Sequence, residues 1–465
     1  MLSKDFRFVK YIRDPIHGLI GLLQHEKEIV DLPIFQRLRN IRQLGLASYI
    51  YPSAKHSRFE HSVGVMQTIT DFYDALIKSD ITEEEFKDVL VNNKFEQSSD
   101  MGLLLKLRLA GLLHDIGHPP LSHGMETILE RSHEEYTFKL LEKSSIRDVL
   151  FTHGWSNNDI DHVKKILEGK VENSDFYLKS MISSSIDADR MDYLLRDSYH
   201  CGVKYGVYDY PRLLRGPGVR TYEKEFHGRK QEFVDIVFNQ KVVEEVENFL
   251  MARYRMFIQV YLHKTYVGFL NAFWRVFSWV KENEDALGLI IYPDVDDPYL
   301  EEMLIERDEI WLYGLLRSIY RQIRKPVTYF SYNEVDKDTL IELLEALIYR
   351  KRIKLVYNKI LTSKEREKPI TVEHKQLIKK LSEVTGIPKS AIMIDDQTLM
   401  IYQKFKPDYI VYIYNPSNDN YYRVDQLPTS IISDIAEKEI YFSRIYTIEK
   451  YSDKVILGLN RLGLI

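Results

Sequence analysis

Residues 103–123 read LLLKLRLAGLLHDIGHPPLSH. An apolar helical run over Leu103–His118 ends in two imidazoles and a carboxylate, His114, Asp115 and His118. Pro119-Pro120 stops it, because a residue before proline avoids the helical region. His114 and His118 then sit one turn apart on one face. Leaving such groups unpaired inside a protein costs roughly 2–7 kcal/mol each. A bound metal is one compensation; a satisfied buried histidine beside a capping aspartate is the plain alternative. Flanking segments favour the metal: Arg58-Phe59-Glu60-His61-Ser62 upstream and Ile186-Asp187-Ala188-Asp189-Arg190 downstream. Two histidines and two aspartates from these segments make a nitrogen–oxygen ligand set. It suits Mn, Fe, Mg, Zn or Ni and leaves coordination positions open.

Around this core the chain reads as mainly α. Helical spacing extends over 28–45, 61–79, 122–142, 178–200 and 240–283, and amphipathic helices follow at 300–324 and 336–351. Residues 216–238 alternate apolar and polar with Gly and Pro nearby, which predicts a small inserted hairpin. Beyond about 370 a helix (Glu373–Val384) gives way to Tyr- and Ile-rich strands, a C-terminal α+β unit. The expected division is 1–285 for the core, 286–370 for a helical extension and 371–465 for the α+β unit.

The 465 residues exceed one ordinary domain, and a 45% hydrophobic fraction is ample for a large core. A formal charge of −5 argues against a protein that coats nucleic acid, so no nucleic-acid partner is expected. There is one cysteine, Cys201, and no disulfide within the chain can form. With no apolar leader at the first residues and no run long enough for a membrane span, a cytoplasmic location is expected.

The blocks DPIHG (14–18), FQRLRNIRQLG (35–45), HSRFEHSVGV (56–65), LLHDIGHPPLSH (112–123) and DADRMDYLLRD (187–197) occur in order. Together they resemble the HD superfamily of metal phosphohydrolases, and more closely its deoxynucleoside triphosphate triphosphohydrolases, over about residues 10–270. The resemblance implies an HD-type helical core that holds one divalent metal through His61, His114, Asp115 and Asp189. Alignment on DYLLRD selects Asp189 over Asp187, which becomes a supporting or capping residue. It also implies release of inorganic triphosphate from a deoxynucleoside triphosphate (dNTP). The proton-handling residues are then His118, Glu126 and His133, with His133 protonating the leaving oxygen.

Asp189, Tyr193 and Asp197 recur every four residues and line one helix face over on the order of 12 Å. Ordinary amphipathic patterning gives the same spacing, but the resemblance places these residues against sugar and phosphate. By the same carry-over Arg58, His123, Arg190 and Arg253 contact phosphates, Tyr261 packs on the sugar, and Gln43-Leu44 exclude a 2′-hydroxyl. Lys10, Asp31, Gln36 and Arg39 match a guanine-recognising activator site for dGTP or GTP. Arg212, Lys241, His263 and Lys264 match a second effector site at a subunit junction of a homotetramer. That second site departs from the pattern, since Asn239 and Gln259 stand where relatives place arginine. The alternatives are a phosphodiesterase or nucleotidase acting on another nucleotide, and a nucleotide-sensing oligomer without turnover.

Overall fold

Gly64 and Gly111 fix how the central helices meet. The computed structural model describes residues 7–94, 101–226, 229–288, 291–325, 329–362, 374–400, 402, 409–436 and 438–465. Helix α1 is Gln24–Asp31, α2 is Arg58–Lys78 and α3 is Leu103–Leu113. Each residue of α3 from Leu104 to Leu113 is buried, so this helix has no solvent face. At Gly111 a side chain would run into Ile69 of α2. Ser57 is the N-cap of helix α2, and its backbone N–H donates to Glu60 Oε2 at 3.1 Å. Two charged groups inside this bundle neutralise each other. Arg108, fully buried on α3, makes paired bonds of 2.7 and 2.6 Å to Glu26 on α1.

Helix α4 (His123–Leu129) and helix α5 (His133–Glu142) follow, then α6 (Ala188–Cys201). At Gly64 a Cβ would collide with Asp192 and Arg196 of α6, so only glycine lets α2 and α6 approach this closely. Helix α7 (Val243–Met256) and helix α8 (Lys264–Glu282) are separated by a π turn at Phe257–Tyr261. Such turns widen a helix and occur often at functional sites.

Nine strands form three sheets among the described residues. Strands β1 (Lys10–Asp14) and β2 (Gly18–Leu22) make a hairpin. Strands β3 (Pro217–Phe226) and β4 (Arg229–Asn239) are the expected inserted hairpin; its turn lies outside the described residues. In later sequence come β5 (Ile353–Thr362), β6 (Ile392–Met400), β7 (Tyr412–Asn415), β8 (Asn420–Arg423) and β9 (Glu439–Ile448). The hairpin does not stand alone, because β7 pairs parallel to β4 and extends it to order β3-β4-β7-β8. The third sheet has order β5-β9-β6, antiparallel throughout, with Asp395 opposite Arg444. It packs on α8, where Gly268 faces the ring of Tyr446. Strand β5 comes from the expected helical extension, so this sheet crosses the division drawn at 370.

Several expected helices are shorter in the structure. The 28–45 run breaks at Pro33 into short turns, and 122–142 breaks between α4 and α5. The 240–283 run breaks at the π turn. Glu373, the expected first residue of the C-terminal helix, lies outside the described residues, and the helix is described from His374. The helix through His118 also needs correcting: α3 ends at Leu113, and His114 to His118 form a turn held by Ile116 N–H to Leu113 O and His118 N–H to Asp115 O. Among the described residues no helix is long and apolar enough to cross a membrane.

Candidate metal centre and active-site cavity

The end of α3, the first turn of α2 and the first turn of α6 converge on one point. His61 Nε2 lies 3.0 Å from Asp189 Oδ1, 3.3 Å from His114 Nε2 and 3.5 Å from Asp115 Oδ2. His114 Nε2 is 3.4 Å from Asp115 Oδ2 and 3.8 Å from Asp189 Oδ1. Donor atoms of His61, His114 and Asp189 thus lie within 4.8 Å of one another, and Asp115 Oδ2 lies against both imidazoles. The far ring nitrogens are fixed from behind: His61 Nδ1 bonds Asp192 Oδ2 at 2.8 Å, and His114 Nδ1 bonds the Gly111 carbonyl at 2.8 Å. With Nδ1 donating in both rings, both Nε2 lone pairs point inward at each other. Two lone pairs at that distance require a proton or cation between them. The donor set therefore fits a divalent metal.

Electrostatics at the centre follow from burial and neighbours. Burial opposes charge on His61, yet the Asp189 and Asp192 carboxylates hold its pKa up at about 10. Burial works against the Asp115 anion as well, but Arg58 and the flanking imidazoles keep its carboxyl well below the usual range. Arg58 Nη1 pairs directly with Asp115, and Arg58 Nε donates to Ser122 Oγ at 2.8 Å. Leu121 and Ser122 have φ of 59° and 51°, in the left-handed region, on the cavity wall. Non-glycine residues there store about 1–3 kcal/mol each, a pattern common at functional sites.

A second cluster lies beside the first. His133 Nδ1 bonds Glu126 Oε1 at 2.6 Å, and His123 Nδ1 bonds Glu126 Oε2 at 2.6 Å. The rings of His118 and His133 stack at 3.7 Å and 15°. His118 Nε2 is 3.2 Å from Asp115 Oδ1, and His133 Nε2 is 3.9 Å from the same oxygen. Burial, Arg58 and His133 push His118 well below the ordinary imidazole value, so it stays neutral. Glu126 is partly buried, but its bonds to His123 and His133 keep it ionised. The arrangement presents the Nε2 of His133 toward the metal-ligand cluster with a carboxylate behind it, the geometry of a proton donor.

Both clusters open into one cavity of about 600 Å³. Gln43, Leu44, Arg58, His123, Tyr193, Asp197 and Tyr261 line it, as expected for substrate contacts. Asp197 is already engaged, accepting from Tyr261 Oη at 2.7 Å and bonded to His56 Nε2 at 2.8 Å. Arg190 and Arg253 depart from expectation, since neither lines the cavity. Arg190 turns back to Asp187 and lies 5.3 Å over the Tyr409 ring. Asp187 is the N-cap of α6 and accepts the Arg190 N–H at 2.7 Å, so its carboxylate captures the arginine. Arg253 is buried, with its guanidinium 5.2 Å from the centre of the Phe257 ring.

The expected effector residues lie outside this cavity. Lys10 and Lys27 flank Asp31 at 4.0 and 2.8 Å. Arg39 donates to Gln36 at 2.7 Å and covers Phe59 at 3.6 Å. Arg212 donates to the Lys241 carbonyl at 2.9 Å. His263 caps α8 next to Lys264, and among the described residues no hydrogen bond or ion pair joins this pair to Arg212 and Lys241.

The sequence reading missed the support behind His61. Asp192 bonds His61, His17 Nε2 at 2.7 Å and both Nε and Nη2 of Arg196 at 2.8 Å. Arg196 Nη1 continues to Asp14 Oδ2 at 2.7 Å. The DPIHG block was the available signal, since it supplies both Asp14 and His17. His56, which holds Asp197, was also missed; its place two residues before Arg58 was the only hint.

This architecture is that of the HD domain, whose family model matches residues 58–197. The chain belongs to the HD-domain family. An uncharacterized protein of Methanocaldococcus jannaschii is 35% identical over 73% of this chain and 65% of its own length. The deoxynucleoside triphosphate triphosphohydrolase SAMHD1 of Homo sapiens is 31% identical over 47% of this chain and 37% of its own. A crystal structure of a hypothetical protein from Aquifex aeolicus matches 97% of this chain and 99% of that one, with a TM-score of 0.68 and 25% identity. The chain spans less than two thirds of the length of these two curated relatives.

Proposed function

We propose that the chain is a metal-dependent phosphohydrolase that cleaves dNTPs to deoxynucleoside and inorganic triphosphate. The observation that carries this reading is the convergence of His61, His114, Asp115 and Asp189 beside the His133–Glu126 pair in one cavity. A relative named for that activity, SAMHD1, supports the substrate class. His61, His114, Asp115 and Asp189 would hold the metal. Once bound, a divalent ion there lowers the pKa of water and polarises a phosphoryl oxygen.

The protein's own groups do the rest. Arg58, lodged between Asp115 and Ser122, brings a cation to the phosphate end of the cavity. Tyr193 and Tyr261 flank the sugar, and Asp197 has lone pairs left to accept from a 3′-hydroxyl. Leu44 and Gln43 crowd the 2′ position and favour deoxy substrates. Glu126 holds the Nδ1 proton of His133, so that Nε2 delivers a proton to the departing 5′-oxygen. His123, exposed beside it, reaches for the α-phosphate. In this reading dGTP or GTP binds around Lys10, Asp31, Gln36 and Arg39 in a homotetramer and activates turnover, and Arg212, Lys241, His263 and Lys264 serve a second nucleotide.

One observation favours a second reading. Arg190 and Arg253, the cations expected for a triphosphate tail, do not line the cavity. A nucleotide with a shorter phosphate chain needs fewer of them. Incubation with dGTP and Mn or Mg, alone and with each other dNTP, separates the readings through ion-exchange analysis of products. Inorganic triphosphate supports the first reading. Release of only phosphate or pyrophosphate, or turnover confined to nucleoside monophosphates or diesters, overturns it in favour of the second.

A further inference from the structure

Strand β6 runs along the far wall of the active-site cavity. Residues two apart on a strand share a face, and Asp395 and Gln397 both line the cavity. Asp395 is 5% exposed. Its Oδ1 accepts from Gln397 Nε2 at 3.1 Å, while Oδ2 is buried without a hydrogen-bond partner among the described residues. A buried carboxylate oxygen left open is costly unless a donor reaches it. Burial raises the Asp395 carboxyl above its ordinary value; the Gln397 hydrogen bond, the Arg444 charge and a hydrogen bond from Asn271 only partly counter this.

The position of this pair in the cavity says what kind of group it meets. Arg444, opposite Asp395 across the sheet, donates to the Leu262 carbonyl at 2.7 Å. Leu262 follows Tyr261, so β6 lies just beyond the residue assigned to the sugar. Val267, Leu270 and Trp274 of α8 line the same cavity and add apolar surface to it. An anion here repels phosphate, which the metal-ligand end already serves. What extends past the sugar is the base. Gln397 gives one amide hydrogen to Asp395, and its Oε1 is a second acceptor on the same strand face. Two adjacent acceptors complement two adjacent donors. Among the common bases only guanine offers that edge, with N1–H beside the 2-amino group.

We propose that Asp395 and Gln397 are specificity-determining residues that read the guanine edge of the substrate base. Asp395 accepts from N1–H and Gln397 from the 2-amino group. This assignment rests on the nucleotide reading of the cavity and gives the C-terminal sheet a role in the active site.

The test is kcat/KM for dGTP, dITP and dATP in the wild type, Asp395→Asn and Gln397→Ala. GTP is held constant in every assay, so that any activator requirement is met equally. The wild type should favour dGTP over dATP, with dITP between them because it lacks the 2-amino group. Asp395→Asn should lower kcat/KM for dGTP at least tenfold, through KM, while dATP changes less than threefold. Gln397→Ala should bring dGTP down to the level of dITP. Metal content and melting temperature check that both variants fold. A wild type that cleaves dNTPs but keeps the same dGTP-to-dATP ratio in both variants overturns this assignment alone. A wild type that cleaves no dNTP overturns the proposed function and this assignment with it.

Discussion

Asp192 Oδ2 lies 2.8 Å from Nδ1 of the metal-ligand candidate His61, and its other oxygen lies 2.7 Å from Nε2 of His17. One buried carboxylate thereby ties the metal centre to the DPIHG turn and, through Arg196, to Asp14. Groups behind metal-bound histidines set ring orientation and basicity, and their loss weakens binding about 10- to 100-fold. Asp192→Asn should therefore reduce metal affinity by that factor with His61 itself unchanged. Titration of metal-stripped protein, followed by calorimetry, reads this directly. Unaltered affinity would show that Asp192 only stabilises the fold.

Gly64 gives a structural version of the same prediction. A methyl group at this position collides with Asp192 and Arg196. Gly64→Ala should lower stability by about 1–3 kcal/mol, the usual cost of overpacking, and weaken metal binding as well. Thermal melting with and without metal separates the two effects. An unchanged melting temperature contradicts the close approach of α2 and α6.

Glu126→Gln removes the carboxylate behind His133 and His123 but leaves all four metal-ligand candidates in place. Positioned proton transfer contributes about 10²- to 10⁴-fold to rate. The variant should retain metal and lose kcat by a factor in that range. Equal loss of metal would instead place Glu126 in the metal site.

Glu309 supplies a pH test of folding outside the metal-ligand and proton-handling clusters. It is 4% exposed and pairs with Arg42 at 3.2 Å, but burial outweighs the pair and lifts its carboxyl from 4.5 to about 7. The unfolded chain releases this proton near pH 4.5, whereas the folded protein holds it to about 7. Stability is therefore lost as pH rises through that window, and the loss is complete above the folded value. The difference corresponds to about 3 kcal/mol. Unfolding by urea at pH 5 and pH 8 should show a steeper decline for wild type than for Glu309→Gln. Parallel declines would mean that Arg42 compensates fully.

Much of the centre was legible because its chemistry is concentrated in short blocks. The His114-Asp115 pair stands out as polar residues at the end of an apolar helix; spacing puts Asp189, Tyr193 and Asp197 on one helix face, and the resemblance is what sets that face against a substrate. Distance along the chain hid the rest. Nothing near Asp192 indicates that it meets His17, 175 residues away. The π turn at Phe257–Tyr261 carries no breaking residue, so a continuous helix and a shared face for Arg253 and Tyr261 were the natural reading. Arg190 looked free to bind phosphate because capture by its own N-cap, Asp187, depends on side-chain direction. The pairing of β7 with β4 and of β5 with β9 joins segments that each look local in sequence.

In the proposed function His61, His114, Asp115 and Asp189 hold one divalent metal on which phosphate-ester cleavage depends. This is tested most directly by measuring metal content and dGTP hydrolysis together in wild type, His114→Ala and Asp115→Ala, each stripped with chelator and then restored with Mn. About one metal per chain and restored turnover are expected in the wild type only. Wild-type turnover that survives complete stripping, or full activity in either variant, would contradict it.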